Sequence, residues 1–233
     1  MYACVVKRAL DFILALLALI VLSPLMLVLS IVGAIVMKGN PFFTQLRPGK
    51  KDKNGQERIF RLIKFRTMTC EKDADGNLLP DDQRLTKCGA WLRNTSLDEL
   101  PELFNILVGD MSIVGPRPQL VRDMTFMTDD QRRRHDVRPG LTGLAQVNGR
   151  NNITWEQKID YDLQYIDKGL SVCKDATIIL QTVGKVLKSS DTVREGTVSD
   201  MDFGDWLLQE GKVDRTQYEQ KQDAARELLT ARG

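Results

Sequence analysis

The sequence carries almost no net charge, 33 Lys+Arg against 31 Asp+Glu in 233 residues, so charge balance alone selects no partner. Without a basic excess, no nucleic-acid partner is expected. It has one histidine, His135, and four cysteines, Cys4, Cys70, Cys88 and Cys173, with no Cys-x-x-Cys spacing. A zinc site would need distant residues, and four reduced thiols in a cytosol-facing protein are expected instead. The P-loop, Gly-x-Gly-x-x-Gly after a strand, His-Glu-x-x-His and Gly-x-Ser-x-Gly are all missing, and there is no internal repeat. No second apolar run approaches membrane length, which excludes a multi-span transporter.

One such run is present. Residues 12–37 are 26 consecutive positions without a charge, and they hide behind a mean hydropathy of −0.24. The run is too long for a signal-peptide core, and no small-x-small cleavage site follows it. A straight helix of this length would reach ~39 Å, enough to cross a bilayer. Ser23-Pro24 lies at its middle, where proline removes a donor and predicts a break into two halves of about 13 residues, each too short to span. Lys7 and Arg8 precede the run, and residues 38–66 hold nine Lys/Arg against two acids, Asp52 and Glu57. Cations at both ends lean towards a re-entrant helix-break-helix with both ends on the cytoplasmic side; a kinked spanning helix is the other reading.

The remainder reads as α+β, mostly α. Residues 41–46 and 58–66 flank Asn54-Gly55, a β-hairpin signal. Residues 86–92 and 100–108 read as short helices, the second stopped by Gly109. Residues 129–135 read as a charged, solvated helix. Residues 155–167 and 172–187 read as amphipathic surface helices, with Trp155, Ile159, Leu163 and Ile166 on one face of the first; the second could lie on the membrane. From Asp200 onward, eight acids against five bases suggest a separate terminal helix or arm. The expected division is a membrane segment 1–38, a catalytic domain 39–199 and an extension 200–233.

Three Asp-x-Asp pairs (Asp73/Asp75, Asp160/Asp162, Asp200/Asp202) read as solvated faces. Ser96-Leu-Asp-Glu99 admits two readings. As a capping box, Glu99 would reach back to the Ser96 amide. Pro101 would then fall where its amide is wanted; a helix starting at Asp98 instead sets Asp98 and Glu99 at its positive end, a place that suits ionised carboxylates and phosphate. Gly-Pro-Arg-Pro at 115–118 and Arg-Pro-Gly at 138–140 hold guanidinium groups on stiff loops, suited to phosphate oxygens. Gly143, Gln146, Asn148 and Arg150 add close backbone approach and amide groups.

Taken in order, these motifs resemble the small monotopic phosphoglycosyl transferases among the bacterial sugar transferases. The match includes Lys7-Arg-x-x-Asp11, Ser23-Pro24, Phe43-x-Gln-x-Arg-Pro-Gly49, Lys64-Phe-Arg-Thr-Met68 and Ser96-Leu-Asp-Glu-Leu-Pro101. It continues through Gly109-Asp-Met-Ser-x-Val-Gly-Pro-Arg-Pro118 and Arg138-Pro-Gly-x-Thr-Gly-x-Ala-Gln-Val-Asn-Gly-Arg150. Arg194-Glu-Gly-x-Val198 is similar to members that use N,N′-diacetylbacillosamine, and the tail past Asp205 exceeds the pattern. The resemblance implies a UDP-sugar donor, a polyprenyl (undecaprenyl) phosphate acceptor, UMP release and Mg²⁺, at the cytoplasmic face of the bacterial inner membrane. It implies Asp98 as nucleophile, with Glu99 its partner and both at the metal. Lys64, Arg66, Arg93, Arg117 and Arg138 would bind phosphate or donor, and Gln146, Asn148 and Arg150 the nucleotide-sugar. Lys7, Arg8, Asp11, Ser23 and Pro24 would set the membrane anchor. Two other classes remain: a metal-dependent glycosyltransferase releasing UDP, and a non-catalytic membrane adaptor.

Overall fold

A computed structural model describes residues 2–149, 153–188 and 201–231. After a π-helical turn (Tyr2–Val6), the long α1 (Lys7–Val36) runs into the hairpin β1 (Phe42–Lys51) and β2 (Glu57–Phe65). Short helices follow: α2 (Asp81–Arg84), α3 (Lys87–Asn94), a 3₁₀ turn at Leu97–Glu99 and α4 (Glu102–Val108). Then come β3 (Ser112–Val114), α5 (Val121–Phe126), a 3₁₀ turn at Gln131–Asp136, β4 (Gly140–Thr142) and α6 (Leu144–Val147). The amphipathic α7 (Trp155–Asp167) and α8 (Val172–Lys188) precede α9 (Phe203–Gln209) and α10 (Arg215–Thr230). The class is α+β and mostly α, as read from the sequence.

The hairpin pairs Phe42 with Phe65 through Pro48 with Ile59, and a register shift follows Pro48. It gives Phe60, Leu62 and Phe65 to a core completed by Leu92, Leu103, Ile106 and Met111, and by one stripe of α1: Ala15, Leu19, Met26 and Leu29. Those α1 positions recur at helical spacing, so one face is buried while Leu17, Ile20, Val21, Leu27, Val28 and Ile35 stand exposed.

The helix-break-helix expected at Ser23-Pro24 is not seen as an interruption; helical geometry continues through Pro24. The carbonyl that Pro24 cannot bond is that of Ile20, and the Ser23 hydroxyl donates to it at 2.8 Å. The serine therefore replaces the missing backbone bond.

Both ends of α1 are tied to the same domain. Lys7 Nζ meets Asp175 Oδ2 of α8 at 2.6 Å, and Asp11 accepts from Ser112 Oγ (2.7 Å) and the Ile113 amide (3.1 Å). Arg8 donates to the Ile106 and Leu107 carbonyls, satisfying the C-terminal end of α4. At the other end, a Cβ on Gly33 would lie 3.0 Å from Pro41 Cβ, so the helix leaves straight into the hairpin.

The extension is not a separate arm. Phe203 is buried with Phe126, Met127, Trp155 and Ile159, and Trp206, Leu207 and Tyr218 pack around them. The 129–135 segment also departs from expectation: it is a 3₁₀ turn in which Arg134 and His135 are buried. Asp162, read as part of a solvated pair, is buried too; Arg134 donates to its Oδ2 at 3.0 and 2.6 Å. Buried charge of this kind is held only when paired. On α8, Ile178 is buried while Val172, Leu180, Val183 and Val186 stand exposed.

Candidate active site

Three segments converge on Asp98 and Glu99. The first is the chain itself, which turns through Ser96 at φ 56, ψ 17, a left-handed conformation uncommon for a residue with a Cβ. The 3₁₀ turn that follows leads through Pro101, at the N-cap of α4, so the helix begins at Glu102 and not at Asp98. The capping box does not form. The Ser96 amide donates to the Arg93 carbonyl, and the Ser96 side chain makes no capping bond.

The second segment is β2, whose Lys64 Nζ lies 2.9 Å from Glu99 Oε1 and 3.0 Å from Glu102 Oε1. The third is the 115–118 loop, whose Arg117 Nη2 donates to Glu99 Oε1 at 2.6 Å. That loop sits beside 138–143 because β3 and β4 pair in parallel, Ser112 with Gly140 and Val114 with Thr142. The approach is close: a Cβ on Gly140 would lie 2.1 Å from the Gly115 amide nitrogen, and one on Gly143 2.1 Å from the Gly115 carbonyl oxygen. Only glycine fits there.

Asp98 and Glu99 are 8% and 7% exposed. Asp98 Oδ1 is buried without a hydrogen-bond partner. Burial, and then the neighbouring Glu99 charge, push the Asp98 carboxyl above its ordinary value; Lys64, Arg117 and Arg93 pull the other way. Glu99 raises the affinity of Arg117 for its proton, so that guanidinium stays charged throughout. The arrangement is a basic carboxylate oxygen in a dry, cationic setting, which suits attack on a phosphorus atom whose charge the cations offset.

Of the other expected residues, Arg93 is nearby, its Nε donating to Thr67 Oγ1 at 3.0 Å, with Asp98 contributing to its electrostatics. Arg66 makes no side-chain hydrogen bond or ion pair among the described residues and remains half-buried on the same strand end. Gln146 donates to the Leu141 carbonyl at 3.3 Å, and its Oε1 is buried without a partner; Asn148 is exposed and donates to the Leu144 carbonyl. Gln146 stands on α6 and Asn148 caps its end, and Gly143 at its start packs on the Gly115 backbone. Arg138 stands apart from that group. Its Nε donates to the Gly109 carbonyl at 2.8 Å, at the end of α4 opposite the carboxylates, where it shares the helix terminus with Arg8. Arg150 and residues 194–198 lie outside the described residues.

Sequence reading passed over three supports. Glu102, 2% exposed, shares Lys64 with Glu99. Arg134 donates to the Arg117 carbonyl at 2.7 Å, and Arg47 to the Pro118 carbonyl at 3.2 Å. A repeated Glu at the start of α4 was the available signal for Glu102; the other two depend on contacts 17 and 71 residues apart.

Among the described residues no group of three or more His, Cys, Asp or Glu could hold a metal. The adjacent carboxylates do fit Mg²⁺, which takes one or two protein carboxylates and completes its shell with phosphate oxygens and water. The orphaned Asp98 Oδ1 is the atom left open for it or for phosphorus.

The sequence profile of the bacterial sugar transferases matches residues 2–189, the whole scaffold up to the end of α8. The chain belongs to the bacterial sugar transferase family. It is 47% identical over 187 residues to the uncharacterized sugar transferase EpsL of Bacillus subtilis, covering 79% of this chain and 89% of that one. It is 41% identical over 191 residues to the UDP-glucose:undecaprenyl-phosphate glucose-1-phosphate transferase of Klebsiella pneumoniae, covering 78% of this chain and 40% of that one. Identity to the undecaprenyl-phosphate galactose phosphotransferase of Salmonella typhimurium is 34% over 203 residues, again 78% and 40%. This sugar transferase thus spans about two fifths of the length of those two relatives, and its α9 and α10 fall beyond the family match.

Proposed function

We propose that this sugar transferase moves a sugar 1-phosphate from a UDP-sugar to polyprenyl (undecaprenyl) phosphate and releases UMP. The observation that carries the proposal is the buried Asp98 carboxylate with one unbonded oxygen, beside a Glu99 held by Lys64 and Arg117. Asp98 attacks the β-phosphorus of the donor; a P–O bond forms and the bond to the bridging oxygen breaks, its electrons leaving with UMP. An oxygen of polyprenyl phosphate then attacks the same phosphorus, and the carboxylate leaves as it began. Two displacements replace one difficult step. Arg117 and Lys64 offset the charge that collects on the phosphoryl oxygens. Asp98 and Glu99 would hold Mg²⁺ together with the diphosphate, and when bound the ion neutralises leaving-group charge.

A lipid acceptor requires the site to sit at a bilayer surface. We infer a monotopic enzyme of the bacterial inner membrane with its domain in the cytoplasm. A 30-residue helix would be about 45 Å long, yet Lys7 and Asp11 near one end and Met26 and Leu29 towards the other are all held against one domain. That supports a segment that enters and leaves by the same face. The unpartnered apolar faces of α1 and α8 support contact with membrane lipid.

The named relatives carry glucose and galactose. The donor is tested by incubating the detergent-solubilised enzyme with polyprenyl phosphate, Mg²⁺ and a panel of UDP-glucose, UDP-galactose, UDP-N-acetyl sugars and UDP-N,N′-diacetylbacillosamine. UMP release from one of these is expected, with an N-acetylated sugar favoured. UDP release would make the enzyme a glycosyltransferase that leaves the phosphate behind, and no nucleotide release would make it an adaptor.

A further inference from the structure

The extension beyond the family match is built into the scaffold at one particular place. The 115–118 loop is fastened by three groups of the family portion: Gly140 N on the Pro116 carbonyl, Arg134 on the Arg117 carbonyl and Arg47 on the Pro118 carbonyl. The chain then enters α5, which at six residues is too short to hold itself. Asp123 of α5, 2% exposed, accepts from the Leu120 amide through Oδ2 at 2.9 Å. Its other oxygen, Oδ1, accepts from the amide of Phe203, the first residue of α9, also at 2.9 Å. One buried carboxylate therefore joins the end of the Arg117 loop to the extension.

The neighbouring contacts repeat the link. Arg122 pairs with Asp202, and Lys221 Nζ of α10 donates to the Thr125 carbonyl at 2.8 Å, near the end of α5. The Phe126 ring lies 5.6 Å from that of Tyr218. Gly204 is so close to Phe126 that a Cβ there would sit 2.5 Å from Cε2. The extension also grips α7, which carries the Asp162 partner of Arg134: the Trp155 ring lies tilted against that of Phe203 at 5.1 Å and its indole N–H donates to the Met201 carbonyl at 2.9 Å. Both α5, which follows the Arg117 loop, and α7, which carries the partner of Arg134, are held from behind by residues 201–221.

We propose that the C-terminal extension is an internal clamp that positions Arg117, with Asp123 and Phe203 as its positioning residues. The inference rests on the reading of Arg117 as the group that meets donor phosphate. The clamp acts through loop geometry: Phe203 and Lys221 of the extension reach Asp123 and Thr125 of α5, while Glu99 is held by Lys64 and Arg117. Loop position matters steeply, because a displacement of about 1 Å at a positioning group can cost as much as a hundredfold in rate.

The test uses the full chain and two small perturbations. Gly204→Ala forces a methyl group against Phe126, and Asp123→Asn keeps the shape but leaves one oxygen for two amide donors. Each is combined with Arg117→Lys in a double-mutant cycle read by UMP release, with Arg226→Ala on the exposed face of α10, where the side chain pairs only within its own helix, as control. A fall in kcat/KM of about tenfold is expected for each clamp variant alone, and less than about twofold further loss in the Arg117→Lys background. The control keeps wild-type kinetics. Full, additive losses in the Arg117→Lys background would overturn the clamp, since general destabilisation does not depend on Arg117; so would wild-type kinetics in both variants. If Gly204→Ala does not fold, the Asp123→Asn cycle decides alone.

Failure of the functional reading gives a different pattern. If the wild-type chain releases no UMP from any donor, amide hydrogen exchange over residues 118–126 decides. Faster exchange in the clamp variants, with exchange in β1 and β2 unchanged, upholds the fastening; unchanged exchange over 118–126 refutes it.

Discussion

Replacing Arg117 by Lys keeps the positive charge and removes the planar fork. The backbone is expected to stay in place, because Arg134 and Arg47 hold the Arg117 and Pro118 carbonyls independently of the side chain. What changes is the guanidinium, which spends only Nη2 on Glu99 in the structure, at 2.6 Å, and has further N–H donors to offer a phosphate. A lysine ammonium can pair with Glu99 or approach the phosphate, but it lacks the second, rigidly placed arm. One charge-assisted hydrogen bond is worth about 1.5–3 kcal/mol, which at about 1.4 kcal/mol per decade is a 10- to 150-fold loss in kcat/KM. UMP release at subsaturating UDP-sugar measures it, and the melting temperature should move little. Wild-type kinetics in Arg117→Lys would show that the side chain only balances Glu99, and the assignment of this loop to donor phosphate would fall.

Arg138→Gln should leave KM for the donor within about twofold and cost about 1 kcal/mol of stability, because its bond is to the α4 terminus; a tenfold rise in KM would return Arg138 to the donor site. Burial, against the pull of the Glu57 hydrogen bond, lowers the His135 pKa to about 4. Unfolded His takes up a proton near pH 6.5, so stability is lost as pH falls from about 6.5 to 4, by at most about 3 kcal/mol. His135→Gln should remove that component, and identical pH–melting curves for variant and wild type would refute it. For topology, a cysteine at residue 2 should resist an impermeant maleimide applied outside intact cells and react after permeabilisation; labelling from outside only would mean that α1 spans.

The hairpin was legible because an Asn-Gly turn lies between two Phe-rich runs, and α4 because Gly109 stops it at φ 93. Asp98 and Glu99 were legible as a pair, but Pro101 was needed to weaken the capping-box reading, and the Arg93 carbonyl that takes the Ser96 amide could not be read from spacing. Other features hide in long-range partners. A run such as Gln-Arg-Arg-Arg-His looks solvated until Asp162 and Glu57 arrive from 28 and 78 residues away. Arg138 shares a Pro-Gly context with Arg117, yet the parallel pairing of β3 and β4 turns one toward Glu99 and the other toward Gly109. The proline in α1 signalled a break because backbone bonding alone was counted; the Ser23 hydroxyl makes up the loss locally. The acidic tail was read from net composition, which conceals the Phe203, Trp206 and Tyr218 that dock it.

The account turns on whether the Asp98 carboxylate itself takes the phosphoryl group. The direct measurement is a single turnover without acceptor: enzyme, the UDP-sugar that the panel selects and Mg²⁺, with polyprenyl phosphate left out, followed by nucleotide quantification and peptide mass analysis. About one UMP per active site and a sugar phosphate on the peptide that contains Asp98 are predicted, and neither from Asp98→Asn. UMP that forms only when polyprenyl phosphate is present, with every peptide unmodified, would contradict the covalent route and replace it with direct in-line transfer.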